Sequence, residues 1–141
     1  MEAISKLKSV TKEFFDKHWC KQENDKSAPE WSEAYFLQGC MPNHDKQGIY
    51  AFLRKHEVIY IGVGASRGSG RYRGHGLGSR MQDYMKCIGP DTYEAKDKKL
   101  EEADCIVTIG FDIDQAYLAY ALESFLISRL NPKHNRNAPG A

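Results

Sequence analysis

The sequence predicts an α+β fold: a small three-stranded antiparallel sheet flanked by helices, with an N-terminal helical extension. Three observations carry this reading. Two β-rich runs, residues 49–53 and 58–61, flank the polar turn Lys55-His56-Glu57, and a third β-branched run covers residues 105–109. Stretches with apolar residues at helical spacing precede, separate and follow these runs. At 141 residues and 16.0 kDa the chain fits one globular domain. Its 41% hydrophobic and 28% charged residues exclude wholesale disorder and low-complexity classes.

In chain order, residues 5–20 place Leu7, Val10, Phe14, Phe15 and Trp19 on one helical face with lysines between them, which predicts an amphipathic helix. Residues 21–46 are polar and broken by Pro29 and Pro42, although Trp31, Tyr35, Phe36 and Leu37 predict a short ordered piece on the core. Residues 1–47 therefore read as an extension to a domain of residues 48–141. That domain opens with the hairpin. The segment GVGASRGSGRYRGHGLG follows, too rich in glycine for regular structure. A helix is expected from Leu77 or Gly78, carrying Met81, Tyr84, Met85 and Ile88 and stopped by Gly89-Pro90. The acidic residues 92–103 are expected as an exposed helix, and residues 105–109 as the third strand. Residues 114–130 form the strongest helical pattern, opened by an Asp112 or Asp114 cap and closed by Asn131-Pro132.

Twenty basic against nineteen acidic residues give a formal net charge of +1, which by itself announces no polyanionic partner. Summed by segment, residues 63–86 carry five basic side chains and one acid, net +4, whereas residues 91–114 carry eight acids and three lysines, net −5. No apolar run approaches the roughly 20 residues of a membrane span, and the N-terminus lacks a signal-peptide core. A soluble, cytoplasmic protein without membrane contact is expected. Cys20, Cys40, Cys87 and Cys105 form no CxxC pair and read as reduced structural thiols. The glycine-rich segment holds no Walker A string, and Gly62-x-Gly64 lacks the third glycine of a dinucleotide-binding turn.

Glu123 stands out because YLAYALESFLISRL surrounds it with apolar residues. A carboxylate buried there costs several kcal/mol unless paired or bound to a cation. An ion pair with Arg129 or another core arginine and a metal-ligand role are both open. Tyr50 and Tyr60 lie symmetrically about the hairpin, so antiparallel pairing brings both phenols to one sheet face, as plain packing or as a reactive pair. Arg80 and Tyr84 follow at i and i+4. Two phenols, an arginine, a third tyrosine and a helical carboxylate together suit phosphate chemistry: proton transfer from water, stabilisation of transition-state charge, and retention of a divalent metal.

The string Gly48-Ile49-Tyr50, nine intervening residues, then Tyr60-Ile61-Gly62 resembles the signature of the GIY-YIG nuclease superfamily in letters and spacing. Arg80 matches that family's arginine, Tyr84 the position that is Tyr or His among its members, Glu123 its metal-binding glutamate and Asn135 the asparagine that closes the domain. The resemblance spans residues 48–135. It implies a GIY-YIG-like domain acting as a Mg2+-dependent endonuclease, with Mn2+ as a substitute metal, on DNA, double-stranded in the first instance. Tyr50 or Tyr60 would act as general base, Arg80 would stabilise the phosphate, and Glu123 would hold the metal. Where the repair members carry a lysine after the second tripeptide, this chain has Val63. Arg67, Arg71, Arg73 or His75 are the candidates to do its work, with His75 able to accept a proton near neutral pH and the arginines and Asn135 meeting substrate. The rival readings are an inactive nucleic-acid-binding module of the same fold and a protein-interaction domain. With few residues outside the domain, target recognition would fall to the extension, and a homodimer could supply two sites for double-strand cutting.

Overall fold

A computed structural model of the chain describes residues 2–20, 27–65 and 76–136. In chain order its elements are α1 (Glu2–His18), β1 (Gln47–Arg54), β2 (Glu57–Gly64), α2 (Leu77–Met81), β3 (Met85–Gly89), β4 (Thr92–Ala95), α3 (Lys98–Glu102), β5 (Cys105–Phe111), a 3-10 turn (Ile113–Gln115) and α4 (Leu118–Leu130). The fold is mixed α+β. Its centre is a three-stranded antiparallel sheet of order β2-β1-β5, and β3 pairs with β4 in a separate two-stranded ribbon. No helix among the described residues is long and apolar enough to cross a membrane.

β1 is central and its residues Gly48 to Leu53 are buried on both faces, which is why its sequence runs apolar without alternation. Successive side chains still point to opposite sides. Ile49, Ala51 and Leu53, with Val107 and Ile109 of β5, pack against Leu7, Phe14 and Phe15 of α1 and Ala119, Leu122 and Leu126 of α4. Tyr50 and Phe52, with Ile106, pack against Leu77 and Met81 of α2, Tyr84, and Leu100 of α3. A β-bulge shifts the β1–β2 register between Phe52 and Leu53, so that Phe52 lies opposite Tyr60 and Leu53 opposite Val58. The extra residue lets Val58 and Ile61 join the α1/α4 core while Tyr60 stays on the face of Tyr50.

Both sheet edges are covered by irregular chain, which disposes of the exposed strand edge as an aggregation hazard. At the β5 edge, Ser32 N–H donates to the Thr108 carbonyl, and Tyr35 exchanges backbone hydrogen bonds with Ile106. At the β2 edge, His134 N–H donates to Ile59, and the Asn135 side chain takes both backbone groups of Ile61. The segment around Trp31 is tied down as its position suggested: Trp31 is buried and its indole N–H donates 2.8 Å to the Thr11 hydroxyl. Phe36, expected to pack with it, is instead 65% exposed. Residues 2–20 share the main core with β1, β2, β5 and α4, so α1 is a wall of the same unit and no separate body.

Three local expectations are corrected. The helix expected from Leu77 to Ile88 stops at Met81; residues 85–89 form β3 and pair with β4. Gly89-Pro90, read as a helix stop, leads into the ribbon's turn, where Asp91 takes φ 50°. The acidic helix expected over residues 92–103 is β4 followed by the five-residue α3, capped by the Asp97 carboxylate on Lys99 N–H. The ribbon forms because remote backbone awaits it: Tyr93 N–H donates to Leu37, and Gly39 N–H donates to Asp91. Finally, α4 begins at Leu118 with neither Asp112 nor Asp114 capping it; Asp112 instead precedes the 3-10 turn.

Candidate active site

Gly62 lies directly opposite Tyr50 in the β1–β2 register. A Cβ there would sit 2.2 Å from both Cζ and the hydroxyl of Tyr50, so the missing side chain is what lets the Tyr50 ring lie across β2. Gly48 is under equal constraint, since its Cβ would stand 2.0 Å from the Ile109 carbonyl oxygen on β5. The two glycines of the paired tripeptides thus allow the close strand contacts that seat the first tyrosine.

With that ring the structure gathers three more aromatic side chains, Phe52, Tyr60 and Tyr84. Ring centroids are 6.1 Å apart for Tyr50 and Tyr60, 5.6 Å for Tyr50 and Tyr84, and 5.3 Å for Phe52 and Tyr84. The Tyr50 hydroxyl donates to that of Tyr84 at 2.9 Å, and the Tyr84 hydroxyl donates to that of Tyr60 at 3.4 Å. Tyr50 and Tyr84 are buried, and Tyr60 is half-buried. Although α2 ends before Tyr84, the chain keeps turning, with Tyr84 N–H donating to Met81, and Arg80 and Tyr84 still converge on Tyr50.

Burial pushes the Tyr50 phenol far above its ordinary range, reinforced by Tyr84 and Tyr60 and opposed by the Arg80 guanidinium at its hydroxyl. Tyr60 is pushed up to about 12, first by burial and then by Tyr84, with Lys99 and Tyr50 acting the other way. The Arg80 guanidinium is held more firmly protonated by Tyr50, and an arginine there is charged at every pH of interest. It is exposed on its outer side, where Asp83 lies 3.3 Å away.

Glu123 projects from α4 and is half-buried. Burial raises its pKa and the field of Arg80 lowers it, so its electrostatic counterpart is on α2. Arg129, the arginine considered as its ion-pair partner, turns away: it binds Glu13 of α1 at 2.6 Å and stacks 4.5 Å over the Phe125 ring. Among the described residues Glu123 makes no ion pair or hydrogen bond. No group of three or more His, Cys, Asp or Glu side chains suited to a metal occurs among the described residues. A lone carboxylate nevertheless fits Mg2+, which keeps most of its octahedral shell as water and substrate oxygens. One turn back on α4, the Tyr120 hydroxyl donates 2.7 Å to the Ala65 carbonyl, fixing the end of β2 to the helix that carries Glu123.

Five of the residues singled out in the sequence, Tyr50, Tyr60, Arg80, Tyr84 and Glu123, are therefore linked by contacts or by charge. Asn135 is next to them through Ile61, but its amide is engaged on that residue's N–H at 2.9 Å and carbonyl at 3.0 Å. Arg67, Arg71, Arg73 and His75 lie outside the described residues. One participant was not singled out: the Lys99 ammonium stands 5.4 Å from the Tyr60 ring centroid and 5.8 Å from that of Tyr84. In the sequence it is one lysine of an acidic run, with no local pattern pointing at a tyrosine 39 positions earlier. No protein family, curated protein or solved structure matches the chain.

Proposed function

We propose that the protein is an endonuclease of the GIY-YIG type, hydrolysing DNA phosphodiester bonds at a site with one divalent metal. The observation that supports this reading best is the unbroken chain Tyr60, Tyr84, Tyr50, Arg80, Glu123, joined by two hydroxyl hydrogen bonds, a guanidinium on a phenol, and a guanidinium field on a carboxylate. Packing alone gives no reason to place an arginine and a semi-buried carboxylate beside three linked phenols.

In this reading a tyrosine phenolate takes a proton from water, the water oxygen bonds to phosphorus, the P–O3′ bond breaks, and the 3′ oxygen takes a proton from solvent. Arg80 balances the charge that builds on the five-coordinate phosphate. Glu123 would hold Mg2+ or Mn2+, which when bound supplies Lewis-acid neutralisation of charge on the phosphate oxygens. An ordinary phenol pKa near 10 and the upward shifts of Tyr50 and Tyr60 make the phenolate scarce at neutral pH, so the rate should climb as pH rises. The basic stretch of residues 63–86, net +4, would attract a polyanion despite the net charge of +1.

Supercoiled plasmid incubated with Mg2+ tests this directly. Wild type is expected to nick or linearise it, and Glu123→Ala, still folded, to lose at least about a hundredfold in rate. DNA binding that weakens steeply with salt but leads to no cleavage would support the inactive binding module instead. Indifference to both DNA and salt would end the nucleic-acid reading altogether.

A further inference from the structure

Lys99 is placed by more than one contact. Asp97 accepts its backbone N–H at 2.8 Å, capping α3, and the same carboxylate stands 3.4 Å from its ammonium. One residue on, Leu100 is buried in the cluster that contains Tyr50, Phe52 and Tyr84. At the far end of α3, Glu102 binds Lys133 at 2.6 Å and His134 at 3.2 Å, tying the helix to the segment that closes the β2 edge. The short helix is thus anchored at both ends, with its lysine over two phenol rings.

Of the three linked phenols, Tyr50 and Tyr84 are buried and Tyr60 alone is partly open to solvent. A fixed cation within about 6 Å of a ring is attracted to the neutral phenol and more strongly to the anion it becomes. We propose that Lys99 is a positioning residue that favours the phenolate of Tyr60, the linked phenol open to solvent, and so makes Tyr60 the one that takes the proton of the attacking water. The catalytic half of this rests on the nuclease reading; the coupling of Lys99 to Tyr60 does not. The groups facing Tyr60 are Tyr50 from β1, Tyr84 after α2 and Lys99 from α3, with Asp97 behind the ammonium and Arg80 on the Tyr50 side. Lys99 is the cation among them that acts on Tyr60 directly, and it opposes burial, whereas Tyr50 lies deeper and is pushed higher. Only water and phenolate exchange a proton.

The titration of Tyr60, followed by NMR on isotope-labelled tyrosine and assigned with Tyr60→Phe, tests the coupling without any substrate. In Lys99→Met, or Lys99→Gln should the first variant not fold, its midpoint is expected to rise by roughly half a unit or more. Lys99→Arg should restore it. Single-turnover cleavage with Mg2+ should show the rising limb of the pH profile displaced by the same amount, with KM nearly unchanged. An unmoved Tyr60 midpoint in a folded variant overturns the proposal, as does a raised KM with an unmoved pH profile, which would put Lys99 on the phosphate. Should wild type cleave no DNA, the nuclease reading falls while the Tyr60 midpoint still decides the coupling.

Discussion

A single carboxyl group separates two accounts of α4. Its apolar surroundings were plain in the sequence, but its partner was not, because Arg80 arrives from another element and Arg129, only six residues away, is taken by Glu13. Burial raises the Glu123 pKa, so the protonated form is the one the fold prefers. That preference contributes stability which is full below the ordinary carboxyl pKa and is lost as pH rises through the raised folded value. At pH 7, without metal, the ionised carboxylate is therefore a cost that Arg80 only partly offsets. Glu123→Gln is expected to raise metal-free stability at pH 7 by about 1 kcal/mol, or roughly 3–5 °C in Tm, and to change little below about pH 4. Thermal melts at the two pH values measure this; a clear fall in Tm at pH 7 would mean that the Arg80 pairing outweighs burial. Gly48 and Gly62 teach a related lesson. Their letters and spacing were visible at once, but the reason for them, a strand or a ring within 2.2 Å of the missing Cβ, appears only when β1 meets its neighbours.

Elements were legible where the pattern that forms them is local. The three strands of the sheet and the helices α1 and α4 carry their own apolar signatures, and each lies within a few residues of its expected place. Residues 77–103 were misread because Met81, Tyr84, Met85 and Ile88 imitate a helical face, whereas the ribbon they enter is held by Leu37 and Gly39, some fifty positions earlier. β3 itself buries none of its residues fully, so it offers no alternation to read. The C-terminal segment is the opposite case, a short irregular stretch whose work depends on one side chain. Asn135 supplies both an acceptor and a donor to Ile61, standing in for one residue of a missing strand beside β2. Asn135→Ala leaves those two backbone groups without their partner, at a cost of about 1–3 kcal/mol. Urea denaturation should register the loss, and native-state hydrogen exchange should show the Ile61 amide exposed well before the core amides of β1. Equal protection at Ile61 in variant and wild type would show that another group serves the edge.

Across the whole molecule the phenols set an upper pH limit on the same site they would serve. Tyr50 and Tyr60 are raised, the latter to about 12, and Tyr35, buried against β5, is raised as well. Each is a group whose folded pKa exceeds its unfolded value, so its contribution to stability is complete below about pH 10 and is lost as pH climbs through the folded value. For every pH unit in which the native state holds one proton more than the unfolded chain, stability falls by about 1.4 kcal/mol, and three such tyrosines act together. Urea midpoints measured between pH 8 and about pH 11.5 should hold nearly level to pH 9 and then drop steeply, the drop becoming shallower in Tyr50→Phe. A flat course through that range would show that these phenols ionise in the fold as easily as in the unfolded chain. On the nuclease reading the two trends cross: phenolate supply would favour cleavage as pH rises, while the fold that positions Arg80 and Glu123 weakens over the same interval. Cleavage by the wild type is accordingly expected to peak below the Tyr60 pKa, and its descending limb should follow the loss of native structure seen by circular dichroism at the same pH. A descending limb reached while the protein is still fully folded would instead assign the loss to deprotonation of an acid within the site.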